Sequence, residues 1–250
     1  MKTVYMFDVD GTLTPARQRM KSSFRKFFLE WSKDKIYYLI TGSDIKKTRG
    51  QVPEKILDNS RGIFTCMGNV LHVKEEKIYE NKFEPPDRLL NHLNRFLQKT
   101  GYVLRTGNHI ESRPGMINFS IVGRNASHMQ REGYYTYDCR VKEREKIANF
   151  INESFKDEIE ASIGGKISVD IYPVGSHKGQ AFQWIHHKVG TPRTHYKFFG
   201  DQAKPGGNDW DLIKEMENLK VDHSYHCVKN DRETFVLLKD IKNNNRLTSA

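Results

Sequence analysis

Three short apolar runs in this chain each end in a polar turn, with helical patterns between them, and that recurrence limits the fold more than any other feature. Val4-Tyr5-Met6-Phe7 runs into Asp8-Val9-Asp10-Gly11, Ile36–Ile40 into Thr41-Gly42-Ser43-Asp44, and Tyr196–Phe199 into Gly200-Asp201. Runs that do not alternate with polar residues belong to strands buried on both faces, and such strands interleaved with helices pair in parallel. The expectation is an α/β fold built on a doubly wound parallel sheet. Ligands of such sheets bind beyond the carboxyl ends of the strands, where all three polar turns fall. The first turn leads into Arg17–Lys35, where Met20, Phe24, Phe27, Phe28 and Trp31 recur at helical spacing and predict an amphipathic helix.

Between residues 83 and 175 the pattern changes. Pro85-Pro86 suits the first turn of a helix reaching about Lys99, with Leu89, Leu90, Leu93 and Phe96 on one face. From Tyr102 to Pro173 strands are expected to dominate. Met116–Val122 and Ile167–Tyr172 alternate, and Gly164-Gly165 marks a hairpin before the second. Period two puts Asn118 and Ser120, and on the other strand Ser168 and Asp170, on a polar face opposite an apolar one. A helix around Arg140–Phe155 would cover the apolar face. The expected organisation is therefore a core of residues 1–82 and 176–250 carrying an inserted α+β cap at 83–175. Lys242–Ala250 reads as a frayed tail.

Composition excludes several classes. At 250 residues the chain is long enough to bury a core, and no apolar run approaches the roughly 20 residues of a bilayer span. Cys66, Cys139 and Cys227 cannot all pair and lack metal spacing, which suits a reducing compartment. Met1–Leu13 has no long apolar stretch or small-residue cleavage site, so a cytoplasmic protein is expected. The net charge of +10 is spread along the chain: residues 1–50 carry 11 basic and 5 acidic side chains, and 83–175 carry 13 and 12. Such a charge serves nucleic acid, phosphorylated metabolites or solubility alike. No zinc-finger or RNA-binding-sheet signature accompanies it, so nucleic acid is the weakest of these readings.

The stretch Asp8-Val9-Asp10-Gly11-Thr12 carries the most chemistry. One carboxylate can attack phosphorus while its neighbour, two residues on, handles the proton of the departing or entering hydroxyl. By itself Asp8-Val9-Asp10-Gly11 also fits a helix-capping loop or part of a calcium site. Further along stand Thr41 or Ser43 at a second strand end, Lys178, and Asp201 followed by Gly206-Gly207-Asn208-Asp209. A hydroxyl and an ammonium suit the equatorial oxygens of a transferring phosphoryl group, and a further carboxylate can hold Mg²⁺. Arg105, Arg113, Arg124 and Arg131 against Glu111 form a local cationic cluster in an otherwise nearly neutral insert. Arginine's planar fork suits a phosphate.

In this order, the Asp8–Thr12 stretch, the Thr41/Ser43 turn, Lys178 and Asp201…Asp209 resemble the four motifs of the haloacid dehalogenase-like phosphotransferases. Gly115–Ser120 with Gly123-Arg124, Ser162–Asp170 and Phe198–Asp209 narrow the likeness to the eukaryotic-type phosphomannomutases, over about Lys2 to Leu238. The resemblance implies a HAD-like core with an inserted cap and a defined division of labour. Asp8 is the phosphorylated nucleophile and Asp10 the general acid/base, assisted by Thr41, Ser43 and Lys178. Asp8, the Asp10 carbonyl and Asp201 hold Mg²⁺, supported by Asp209. Arg113, Arg124 and Arg131 grip the distal phosphate, Ser168 and Asp170 contact sugar or phosphate, and Arg17 lies near the active site. It also implies activation by a hexose 1,6-bisphosphate, sugar-phosphate substrates on the route to GDP-mannose, and a homodimer joined through the caps. The chain departs from the family on scaffold and rim more than on charged groups. Ser120-Ile121-Val122-Gly123-Arg124 replaces Ser-Pro-Ile-Gly-Arg, Met67-Gly68-Asn69 replaces Glu-Asn-Gly, and Ser176-His177-Lys178 replaces Trp-Asp-Lys. A sugar-phosphate phosphatase of the same superfamily is the first alternative, and a basic nucleic-acid-binding protein on the same scaffold the second.

Overall fold

The computed structural model describes residues 2–247, with side chains described as far as residue 243. Strand β1 (Lys2–Phe7) is followed by α1 (Ser22–Trp31), β2 (Ile36–Ile40), α2 (Ile45–Gln51), α3 (Glu54–Asn59), β3 (Ile63–Thr65), β4 (Val70–Val73) and β5 (Glu76–Glu80). Then come α4 (Asp87–Lys99), β6 (Ile110–Arg113), β7 (Met116–Phe119), α5 (His128–Val141), α6 (Glu143–Ser154), β8 (Ile159–Gly164) and β9 (Ser168–Pro173). The chain closes with α7 (Lys178–Val189), β10 (Thr194–Gly200), α8 (Trp210–Asn218), β11 (His223–Cys227) and α9 (Asp231–Leu247).

Two sheets result. The larger has the order β11-β10-β1-β2-β3-β4-β5, parallel from β11 to β3 and antiparallel across β4 and β5 at the edge. Its central strands end in apolar runs because both faces are covered there. Tyr5, Phe7, Leu39 and Phe199 pack on one side with Phe24, Phe28 and Trp31 of α1 and Leu238 of α9. Val4, Met6, Ile40 and Phe198 pack on the other with Phe182 and Ile185 of α7 and Ile213 and Met216 of α8. Ring contacts hold the centre: Phe7 stacks on Phe199 at 5.1 Å and meets Phe28 edge-on at 5.4 Å.

The smaller sheet is antiparallel, in the order β6-β7-β9-β8. Ile117, Phe119, Val169 and Ile171 form its apolar face under Leu89 and Leu93 of α4, Tyr134 of α5 and Ile147 and Ile151 of α6. Asn118 pairs in register with Asp170, so the polar side chains share the opposite face, and that face is turned toward the strand ends of the larger sheet.

Several expectations are corrected. The first helix starts at Ser22, not Arg17. Arg17 adopts a left-handed backbone (φ 61°), its amide is committed to the Asp10 carboxylate, and the Met20 amide bonds to Gln51, so residues 15–20 wrap the strand end instead of coiling. Strands do not dominate 102–173. Helix α5 precedes α6, and the two meet at Lys142 with φ 56°. The helical period of α5 is weak because only Tyr134 and Asp138 are buried on it. Its clear signal is the capping box formed by Ser127 and Gln130. Strand β7 stops at Phe119, and Ser120 instead accepts the Gly123 amide in a turn. Residues 242–247 continue α9, while 248–250 of the expected tail lie outside the described residues.

A buried ion pair supports the cap. Arg144, at the start of α6, donates to Asp138 at 2.8 Å and to the Gly165 carbonyl at 2.7 Å, tying the α5–α6 corner to the β8–β9 turn. Removing one partner of such a pair leaves an uncompensated buried charge. Asp138→Ala is expected to destabilise the protein by about 3–5 kcal/mol. Urea unfolding followed by circular dichroism, with faster amide exchange across residues 159–173, checks it.

Candidate active site

The parallel register fixes which side chains meet. Phe7 lies beside both Phe199 and Leu39, so the turns that follow β1, β2 and β10 emerge side by side. Asp8 is buried just past β1, its amide bonded to the Phe199 carbonyl. Lys178, at the N-terminus of α7, is completely buried and donates to Asp8 at 2.6 Å and to Asp209 at 2.7 Å. Asp209 also accepts the Gln202 amide at 3.0 Å, which fixes its second oxygen.

Asp8, Asp201 and Asp209 place one carboxylate oxygen each within 4.8 Å of one another. Burial pushes the Asp8 carboxyl up to about 7, Lys178 opposing and Asp209 adding to the effect. Burial and the charges of Asp8 and Asp209 drive Asp201 well above the carboxylate range. Burial also works against the Lys178 charge, but Asp209 and Asp8 outweigh it and leave the ammonium more basic than usual. An all-oxygen set with surplus negative charge fits a hard divalent cation. Gly11 keeps the approach open: it sits at φ 89°, and a Cβ there would lie 2.7 Å from Asp201 Oδ2. Asp10 brings no carboxylate oxygen to this cluster.

The Asp10 carboxylate points the other way. Burial alone would raise it, but Lys47, the Arg17 amide and Gln51 hold it well below the usual carboxylate range. Ser43 donates to the same carboxylate at 2.9 Å, and the Thr41 hydroxyl accepts the Ser43 amide at 3.1 Å. The Thr41–Ser43 loop is braced from behind by a turn in which Cys66, Met67 and Gly68 all have positive φ. The Cys66 and Met67 amides bond the Ser43 and Thr41 carbonyls. Left-handed backbone at two non-glycine residues is costly and persists because the turn is wholly buried.

Across a cavity of about 600 Å³ stands the polar face of the smaller sheet. Arg113 and Arg124 share Glu111, at 2.9 and 2.7 Å, and Arg124 also reaches Ser168 at 2.6 Å. Arg113 crosses to the Gly42 carbonyl at 2.7 Å. Arg131 bonds the Ala126 carbonyl at 2.8 Å, and burial together with Arg17 and Arg124 disfavours its charge, so an anion placed among them relieves the strain. Asp170 accepts from Asn118 of β7 and, at 3.2 Å, from Asn208.

Asp8, Asp10, Arg17, Thr41, Ser43, Arg113, Arg124, Arg131, Ser168, Asp170 and Asp201 all line this one cavity. Lys178 and Asp209 stand behind Asp8, fully buried. Arg105 does not join them, because its guanidinium is spent on the Leu97 and Leu104 carbonyls. Sequence reasoning missed Lys47, Gln51, Glu111 and Asn208. Lys47 and Gln51, four residues apart, share one face of the helix that Asp44 caps, though that spacing does not place Asp10 against it.

The fold and the site together define a protein of the haloacid dehalogenase-like type. Among solved structures it is similar to the truncated, IMP-bound IMP-nucleotidase of Plasmodium falciparum (TM-score 0.64, 16% identity, 97% of this chain and 68% of that one). It is also similar to the C-terminal domain of a C. albicans trehalose-6-phosphate phosphatase (TM-score 0.63, 15% identity, 95% and 90%). At these identities the likeness is one of fold. The chain belongs to the eukaryotic phosphomannomutase family, whose family model matches residues 24–243. It is 33% identical over 229 residues to a phosphomannomutase of Encephalitozoon cuniculi, covering 88% of each chain. Over 249 residues it is 30% identical to that of Saccharomyces cerevisiae, covering 97% of this chain and 95% of the other.

Gly11→Ala tests the acidic cluster. The added carbon meets Asp201 and the backbone is strained, so we expect weaker divalent-cation binding by calorimetry and at least about tenfold lower activity.

Proposed function

We propose that this protein is a phosphomannomutase, interconverting mannose 6-phosphate and mannose 1-phosphate through an aspartyl phosphate and a hexose 1,6-bisphosphate. One observation carries the reading: a two-carboxylate centre and a set of arginines face each other across a single cavity. The Asp8 side takes the reacting phosphate and the arginine side holds the other. A mutase needs both, because the bisphosphate turns end for end between its two transfers. Hydrolysis alone does not need the second site.

Asp8 is the nucleophile. With Asp8 phosphorylated, the ionised Asp10 takes the proton of a sugar hydroxyl as that oxygen attacks phosphorus; the O–P bond forms and the Asp8–phosphate bond breaks. After the bisphosphate turns, Asp8 attacks the other phosphate and Asp10 returns its proton to the departing oxygen. The Lys47 and Arg17 contacts that keep Asp10 ionised suit it to begin this cycle as a base. Lys178 and the Thr41–Ser43 loop orient the phosphoryl oxygens. Asp8, Asp201 and the Asp10 carbonyl, backed by Asp209, would hold a Mg²⁺ ion that offsets charge on the transferring group. Arg113, Arg124 and Arg131 grip the distal phosphate, with Arg17 at the mouth, while Ser168 and Asp170 meet sugar hydroxyls or phosphate. The boundaries 1–82, 83–175 and 176–250 are offered on the same basis.

No helix of the described residues is long and apolar enough to cross a membrane. Family membership supports a cytoplasmic enzyme feeding GDP-mannose synthesis and a homodimer through the caps, where Val103 and Leu104 expose apolar surface.

Incubation of mannose 1-phosphate with Mg²⁺, with and without a hexose 1,6-bisphosphate, is expected to yield mannose 6-phosphate and to be stimulated by the bisphosphate. Inorganic phosphate without the 6-phosphate would overturn the mutase reading in favour of a sugar-phosphate phosphatase. Asp8→Asn should abolish turnover. Arg124→Ala should raise KM for the sugar phosphates about tenfold to a hundredfold, the worth of a charge-assisted hydrogen bond. Steady-state kinetics checks both.

A further inference from the structure

Lys47 belongs neither to the acidic cluster nor to the arginine set, yet it is tied to the centre of the site. It projects from the first turn of α2, whose start is fixed by the Asp44 side chain accepting the Lys47 amide at 2.8 Å. Its ammonium bonds Oδ2 of Asp10 and, at 2.7 Å, the hydroxyl oxygen of Ser43. Ser43 in turn donates to the same Oδ2. The other carboxylate oxygen, Oδ1, accepts from Gln51 Nε2 at 2.8 Å and from the Arg17 amide. Gln51 lies one helical turn beyond Lys47 and also donates to the Thr14 hydroxyl at 3.1 Å. Four donors from three parts of the chain thus hold one carboxylate, and two of them lie on a single face of α2.

We propose that Lys47, with Gln51 on the opposite oxygen, is the positioning residue that aims Asp10 at the sugar oxygen and links that aim to the phosphate-binding loop through Ser43. The inference rests on the reading of Asp10 as the general acid/base. Asp10 follows β1 in a turn, and its side chain has no strand or helix of its own to hold it. Its direction is set instead by a helix that begins where β2 ends, so the loop that receives the phosphate and the group that handles the proton share one rigid support. Proton transfer requires hydrogen-bond reach to the leaving or entering oxygen, and a small misplacement is enough to lose about a hundredfold in rate. Loss of Lys47 removes one donor to Oδ2 and frees the Ser43 hydroxyl it fixes.

The test separates proton handling from phosphoryl transfer by the leaving group. A sugar alkoxide needs a proton as it departs from a hexose 1,6-bisphosphate, given by Asp10 once that carboxylate has taken one up from water, whereas acetate leaves acetyl phosphate as a stable anion that needs none. The rate of phosphoenzyme formation is measured by acid quench with each donor at constant Mg²⁺, in the full chain and in Lys47→Met. The expected result is that the bisphosphate reaction slows at least about tenfold more than the acetyl phosphate reaction. An equal loss on both donors, or a relative gain with the bisphosphate, overturns the proposal, because a general electrostatic or folding role would not discriminate between them. If Lys47→Met does not fold, Gln51→Leu carries the test: a skew in the same direction of at least about threefold supports it and no skew overturns it. Failure of the wild-type chain to form a phosphoenzyme from the bisphosphate would instead refute the functional reading on which this one stands.

Discussion

Three carboxylates, from Asp8, Asp201 and Asp209, converge within 4.8 Å where the parallel strands end, and the Lys178 ammonium bridges two of them. At an effective dielectric of about 20, two such charges at that distance repel by about 3 kcal/mol. Folding brings them together only because strands and helices packed on both faces of the sheet hold the backbone there. The surplus negative charge suits a site for a divalent cation. It also accounts for the burial of Lys178, which could not lose its hydration without two anionic partners.

The second wall is built on a different principle. The antiparallel sheet turns its apolar side to α4, α5 and α6, which leaves a polar side that most sheets would expose to water. Here it faces the first wall across the cavity, and most of its polar groups are buried and paired. Asn118 satisfies Asp170 from within the sheet and Asn208 satisfies it from the other side, while Glu111 holds two guanidinium groups at once. The two walls touch at few polar points, chiefly Arg113 on Gly42, Asn208 on Asp170 and the Ile163 amide on the Gly206 carbonyl. The apolar pad of Cys66, Met67, Val70, Met116 and Tyr172 adds an apolar contact between them.

Where the sequence was legible, its signal was local. Strands β1, β2 and β10 announced themselves because continuous apolar runs arise when both faces are covered, and α4 because two prolines and a leucine stripe mark its start and face. The carboxylate pair, Lys178 and the later aspartates were readable as a set because each follows a strand or opens a helix. Other features depended on distant partners. Arg17 looked helical by spacing, but its amide is claimed by Asp10. Helix α5 hides because its apolar residues do not gather on one face: Met129 and Tyr135 are exposed, and only Tyr134 and Asp138 are buried. Arg105 resembled its three neighbours in type, but it does not line the cavity they share.

The parallel strands, the pair of carboxylates at the end of the first of them and the local arginine cluster of the insert were readable from the sequence alone, since they depend on periodicity and on residue type at short spacing. Tertiary structure decided which side chains share the cavity, that Lys178 and Asp209 stand behind Asp8, and that Lys47 and Gln51 hold Asp10. Those contacts join residues tens of positions apart, and a hydrogen bond about 3 Å long is set by how strands and helices pack, which no local pattern encodes.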